Sequence, residues 1–321
     1  MELSTLFRSV MTDFPIRKSK AQKESFRNWL CGQLRELGYE PKIESGGRLV
    51  KSNNVVAGDP DRCELLLTAH YDTCAVLPVP NFITPRNLPL LILWQLVLVL
   101  GIIVLSVLPE VLLLTLWKDA PMWLAIGLVY AAMIFCIWWM LAGRANRHCV
   151  NDNTSGVMTL LEIARALPRE DRSRVCFVFF DNEEKGLFGS AAFAAAHKKA
   201  RQEVLNLNFD CVSDGNYLWF FPNKRVKKEE AVLTGLEQAF LSTGEKHCAV
   251  NRGFGWYPSD QKQFSRGVGV CFLNKKPVVG YYMDRIHTDR DTVMQEENLL
   301  LLRDGVLNYL SRKEQGTYEK A

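Results

Sequence analysis

Residues 63–73 read CELLLTAHYDT. The run Leu65–Ala69 has no charged residue, and a strand of that kind is covered on both faces, as in the parallel sheet of an α/β protein. His70 and Asp72 follow at its carboxyl end, the edge where open α/β sheets bind ligands. Outward from this stretch, RVCFVFF at 174–180, LNLNF at 205–209 and GVGVCFL at 267–273 predict further buried strands, and SNNVVAG at 52–58 predicts one more. Helices are predicted between them. Phe26, Leu30, Leu34 and Leu37 recur at helical spacing until Gly38. Residues 157–167 (VMTLLEIARAL) are amphipathic and stop at Pro168, and GLFGSAAFAAAH follows the 174–180 strand. Helices at 231–241 and 296–310 complete the series. Strands alternating with helices predict a mostly parallel sheet with helices on both faces.

The chain has 321 residues, room for one large α/β domain or two ordinary ones. Its 39 basic and 35 acidic residues leave a net charge of +4, spread along the chain, which gives no reason to expect nucleic acid as a partner. Nine cysteines without a CxxC pair predict neither a disulfide framework nor a cysteine zinc site. The opening twenty residues hold no continuous apolar core of the secretory type, so a reducing compartment is expected.

Two stretches break the soluble pattern. Residues 87–109 (NLPLLILWQLVLVLGIIVLSVLP) carry one basic residue before them and none within, and 120–143 (APMWLAIGLVYAAMIFCIWWMLAG) are likewise uncharged. About 20 such residues cross a bilayer as a helix. The chain therefore divides into a first domain part at 1–87, a transmembrane hairpin at 88–143, a second domain part at 144–311 and a polar tail at 312–321. The segment 110–119 is expected to be a linker at the interface. Arg86, Arg144 and Arg147 flank the spans, against Lys118 alone in the linker. That asymmetry predicts a two-span integral membrane protein with its soluble domain in the cytoplasm.

Polar residues gather just past the strand ends: His70 and Asp72, Asp152 in NDNTSG, Asp181, Glu183 and Glu184 in FVFFDNEEKG, and Asp210 in LNFDCVSD. IHTDRDT adds His287. Each alone has an ordinary reading: an aspartate caps a helix, and adjacent glutamates face solvent. Together they form a nitrogen and oxygen donor set suited to a pair of divalent metal ions. Carboxylates crowded into one cleft repel one another, and bound cations remove that conflict.

The order HxD, DN-S-G, FFxxEEKGLxGS, D, SD and HTxxDT resembles the M28 family of dinuclear zinc peptidases, chiefly aminopeptidases, over residues 20–75 and 145–311. The resemblance implies a mixed, mainly parallel sheet sandwiched between helices. It implies that His70, Asp152 and Asp210 hold one zinc, and that Glu184, His287 and the shared Asp152 hold a second. Glu183 would be the general base, and Asp72 would hydrogen-bond the far nitrogen of His70. Asp152–Asn153 falls where the family has a cis peptide. Tyr257 lies near the position of a tyrosine that faces the substrate carbonyl. The activity implied is hydrolysis of peptide bonds by a membrane-anchored aminopeptidase, with peptide substrates and the lipid bilayer as partners.

Three departures bear on this reading. Gln261 follows Ser259 and Asp260 where the family has SDH. Trp256 competes with Tyr257 for the tyrosine position. The gap from His70 to Asp152, short in the family, here contains both apolar stretches. Two further readings share the fold: an inactive membrane scaffold or receptor, whose relatives lose ligands, and a glutaminyl cyclase-like acyltransferase, which uses one zinc. The M20 family is a poor match because NRHCVNDNTSG lacks its motif and the chain is too short for a lid domain.

Overall fold

The structure is a computed structural model, and residues 3–314 are described. Helices α1 (Leu3–Asp13) and α2 (Lys20–Glu36) come first. Ser19 starts α2 with a capping box, its side chain accepting from Gln22 N–H while Gln22 reaches back to the Ser19 amide. Strands β1 (Lys42–Gly46), β2 (Ser52–Ala57) and β3 (Leu65–His70) follow, then the long helices α3 (Leu88–Leu116) and α4 (Met122–Ala142). After them come α5 (Ser155–Ala166), β4 (Val175–Phe180), α6 (Phe188–Ala196), α7 (Lys198–Glu203), β5 (Leu205–Phe209) and β6 (Tyr217–Pro222). The chain closes with α8 (Glu230–Ala239), β7 (His247–Val250), β8 (Gly267–Lys276), β9 (Gly280–Tyr282) and α9 (Glu296–Glu314). Residues 315–321 of the expected polar tail lie outside the described residues.

One mixed sheet runs β1-β2-β4-β3-β5-β8-β6-β7, with β9 on β8. Its centre, β4-β3-β5-β8, is parallel; β2 and β6 join it antiparallel, and β1 lies antiparallel on β2. Alternate residues of the central strands serve opposite faces. Leu65, Leu67, Ala69, Phe177 and Phe179 pack into the core under α1, α2, α5 and α9. Leu66, Cys176, Val178 and Phe180 pack against Phe193, Ala194 and Ala200 of α6 and α7. Burial on both faces explains why these strands read as unbroken apolar runs. Gly189 lets α6 sit on the strand end: a Cβ there would lie 2.0 Å from the Asp181 carbonyl oxygen.

The crossover from β3 to its parallel neighbour β4 contains α3, α4 and α5. The two apolar helices therefore leave and rejoin the domain at the carboxyl edge of the sheet. A short antiparallel stem closes their base, with Val76 N–H donating to Arg144 O (2.8 Å) and Asn146 N–H to Cys74 O (3.1 Å). Both helices are long and apolar enough to cross a membrane, and few of their residues are buried: Leu91, Ser106 and Ala125. The expected linker at 110–119 is corrected. α3 continues through Pro109 to Leu116, about 43 Å at 1.5 Å per residue, and the turn is confined to the residues before Met122. Pro109 withholds one N–H bond, but the leucines after it propagate the helix. The basic flanks are engaged by the domain. Arg86 stacks on Trp219 (4.1 Å to the ring centroid), and Arg144 pairs with Asp289 (2.6 Å).

Candidate metal centre

Because β4, β3 and β5 are parallel neighbours, their carboxyl ends lie on one edge, and His70, Asp181 and Asp210 emerge side by side. His70 is 1% exposed, and its Nε2 lies 3.1 Å from Asp152 Oδ1 and 3.7 Å from Asp210 Oδ1. The second oxygen of Asp152 faces the other way: Oδ2 is 2.9 Å from His287 Nε2, which is 3.4 Å from Glu184 Oε2. Asp152 thus stands between two imidazoles, one oxygen to each. The structure brings His70, Asp152, Glu183, Glu184, Asp210 and His287 into one cluster, and the donor atoms of His70, Asp152 and Asp210 all lie within 4.8 Å of one another.

Asp152 is aimed by its backbone. The Asp152–Asn153 peptide is cis. Asp291 accepts the N–H groups of Asn151 (2.7 Å) and Asp152 (3.0 Å), and Asn153 Nδ2 donates to Phe209 O (2.8 Å). Buried Arg17 lies behind the site, donating from its amide to Thr73 Oγ1 (3.0 Å) and from Nη2 to Thr154 Oγ1 (2.9 Å). It therefore ties the loop after β3 to the loop before α5. His287 is held through its main chain by the stem, since Leu77 N–H donates to His287 O (2.8 Å) and Asn146 Nδ2 to Thr288 O (3.1 Å).

Asp72 does more than face His70. Its Oδ1 lies 3.6 Å from His70 Nδ1, which is nearer to the Asp72 carbonyl oxygen (3.2 Å). Its two carboxylate oxygens accept the N–H groups of Glu183 (3.0 Å) and Glu184 (3.3 Å). Asp72 therefore fixes the backbone of both glutamates. Tyr257 is buried, and its hydroxyl donates to Asp210 O (3.0 Å), so it supports the Asp210 main chain. Asp181 stands apart from the cluster in a buried ion pair with Lys23 of α2.

The electrostatics are those of a site built around positive charge. Burial raises Glu183 and Glu184 well above ordinary glutamates. Burial alone would lower His70 and His287, but the surrounding carboxylates outweigh it and hold both well above an ordinary histidine. Burial alone would raise Asp152, but His287 and His70 hold it well below the carboxylate range. Asp260, fully buried, is pushed up to about 7 by burial, with Asp210 and Asp72 adding to the rise. Glu184 Oε1 is buried with no hydrogen-bond partner. An orphaned carboxylate oxygen, converging anions and imidazole nitrogens aimed at them fit divalent cations. Cys74 adds a sulfur donor beside Glu184 and His287.

Arg17, Cys74, Asp260 and Asp291 have no site role in the sequence reading. Asp260 and Asp291 had a visible signal, their places in the SD and IHTDRDT motifs.

The sequence profile of peptidase family M28 matches residues 142–307, more than half of the chain. No curated protein matches. Among solved structures, a glutaminyl cyclase of Porphyromonas gingivalis superposes with a TM-score of 0.63 at 17% identity, covering 97% of this chain and 98% of that one. A Zn-dependent exopeptidase from Parabacteroides distasonis gives 0.58 at 15% identity, covering 96% and 98%. A leucine aminopeptidase precursor from Bacteroides thetaiotaomicron gives 0.55 at 16% identity, covering 96% of each chain. At these identities the likeness concerns the fold.

Proposed function

This chain belongs to peptidase family M28, and from that premise we propose that it is a membrane-anchored metallopeptidase acting as an aminopeptidase. The observation that carries the reading is Asp152, whose two carboxylate oxygens face His70 and His287 separately. His70, Asp152 and Asp210 would hold one ion, and Asp152, Glu184 and His287 the other, with zinc expected from the mixed nitrogen and oxygen donors. Two such ions supply Lewis acidity to the scissile carbonyl and to the attacking water. Glu183 takes the water proton and delivers it to the leaving amine. Asp72 orients Glu183 for that transfer by accepting its backbone N–H. The apolar helices anchor the domain in the bilayer, and the basic flanks favour a cytoplasmic domain.

Elemental analysis of the purified full chain together with leucyl-p-nitroanilide turnover tests this. Two zinc ions per chain and hydrolysis abolished by chelation and restored by zinc are the expected results. Absence of both bound metal and metal-restored hydrolysis would overturn the reading. Ammonia release from an N-terminal glutaminyl substrate, without peptide hydrolysis, would favour the cyclase reading instead.

A further inference from the structure

Between the donor cluster and the two apolar helices lies a cavity of about 240 Å³. Asp72, Glu184 and His287 form one end of it, and Gln95, Leu98 and Met140 of α3 and α4 line the other. One wall of this cavity is therefore built from helices long and apolar enough to span a bilayer. Gln95 lies about 10 Å along α3 from its first residue, at 1.5 Å per residue.

Gln95 is the informative residue. The hydroxyls of α3 are satisfied within the helix: Ser106 donates to Ile102 O (2.7 Å) and Thr115 to Val111 O (2.7 Å). The Gln95 amide has no protein partner among the described residues. Gln95 is exposed where it lines the cavity, so its amide is open to a ligand there. Leu98 and Met140 give the same wall an aliphatic surface. At the rim, Lys18 Nζ donates to Leu141 O (2.8 Å) and so fastens the end of α4 to the catalytic domain.

Resting on the metallopeptidase reading, we propose that this cavity receives the aliphatic part of a membrane-resident amide substrate. The scissile bond reaches the donor cluster, the alkyl portion packs on Leu98 and Met140, and Gln95 hydrogen-bonds the substrate backbone. Such a substrate enters along the hairpin from the bilayer. A short water-soluble peptide leaves the aliphatic wall unfilled and is the poorer substrate.

The test uses the full chain in lipid nanodiscs and two readouts. In the first, leucine ethylamide and leucine hexylamide are compared, alongside aminoacyl anilides whose side chain is lengthened by four methylenes. At least one series should gain tenfold or more in kcat/KM, within the about 200-fold that full burial of four methylenes provides. Leu98→Trp fills the cavity and should remove most of that gain. Met140→Trp, on the opposite helix, should do the same and guards against misfolding of the first variant. Bilayer partitioning is equal for all three proteins, so a gain that survives both substitutions overturns the proposal, as do two flat series.

In the second readout, the full chain with its metal carries Glu183→Gln to stop turnover and Leu98→Cys, with the partly accessible Cys136 and Cys248 replaced by serine. Leucine hexylamide should slow maleimide labelling at position 98, and the ethylamide should not. Equal labelling rates overturn the proposal. Slowing by lipid alone, with no further effect of the hexylamide, assigns the cavity to an acyl chain and overturns it too. Loss of all hydrolysis with labelling still protected would count against the peptidase reading rather than against the cavity.

Discussion

His70 and Asp152 stand 82 positions apart in the chain and 3.1 Å apart in space, Nε2 to Oδ1, with both apolar helices strung between them. The pair can close only because the chain returns to the edge it left. The stem at Cys74–Val76 and Arg144–Asn146 enforces that return, and the same stem holds the main chain of His287 and Thr288. The insert is thus part of the scaffold that sets donor geometry as well as the candidate anchor.

The adjacent glutamates are expected to separate by function. Glu183→Gln should keep its metal and lose about 10²–10⁴-fold in kcat, since proton transfer alone is removed. Glu184→Gln should lower affinity for one ion. Metal content and kcat measured on both variants check this, and the reverse pattern would exchange their roles.

Asp72→Asn should cost about 10–100-fold in kcat. The replacement amide presents a donor to one of the two N–H groups that the carboxylate accepts. The loss should fall on kcat with KM little changed, because the substitution misplaces Glu183 rather than removing a substrate contact. Steady-state kinetics separate the two.

Lys23 and Asp181 form an ion pair with side chains 7% and 1% exposed. Lys23→Met leaves the Asp181 carboxylate buried without its cation, and should destabilise the domain by about 3–5 kcal/mol. The double variant Lys23→Met/Asp181→Leu should recover more than half of that loss. Denaturant unfolding of both variants measures it.

His197 sits between Glu44 (2.9 Å) and Asp61 (3.1 Å). Burial alone would lower it, but the two carboxylates outweigh burial and raise it above 6.5. A histidine raised on folding stabilises fully below its unfolded value and loses that contribution as pH rises through the folded one. Wild type should therefore exceed His197→Gln in thermal stability at pH 5.5 and match it at pH 9. The three side chains are partly exposed to screening solvent, so the difference should stay under about 1 kcal/mol, or about 4 °C in Tm.

Topology is tested with cysteines placed at Thr115, near the end of α3, and at exposed Ser173 in the domain, in a background without accessible thiols. In intact cells an impermeant maleimide should reach 115 and not 173. Labelling of 173 alone would invert the orientation, and labelling of both would mean that the helices do not span.

Residues that act through local pattern were legible in the sequence. β3, β4 and β5 are buried on both faces, so their apolar runs declare them without knowledge of their partners. His70, Asp152, Glu184, Asp210 and His287 could be singled out because strand-end chemistry sits in short motifs. α3 and α4 were legible because a bilayer imposes length and composition on one continuous segment. β1, β6, β7 and β9 were missed: β1 is a largely exposed edge strand, β6 and β9 take their identity from pairing with β8, and β7 from pairing with β6.

Only the tertiary structure decided which oxygen of Asp152 faces which histidine, that Asp291 and Arg17 hold the loops around it, and that Gln95 looks into a cavity beside His287. These depend on hydrogen bonds and packing between segments far apart in the chain, down to the 2.7 Å bond from Asn151 N–H to Asp291. Such contacts leave no periodicity in the residues that make them. A sequence specifies local conformation through near-neighbour sterics and solvation, whereas donor direction is set when distant segments meet under the constraint that every buried polar group find a partner.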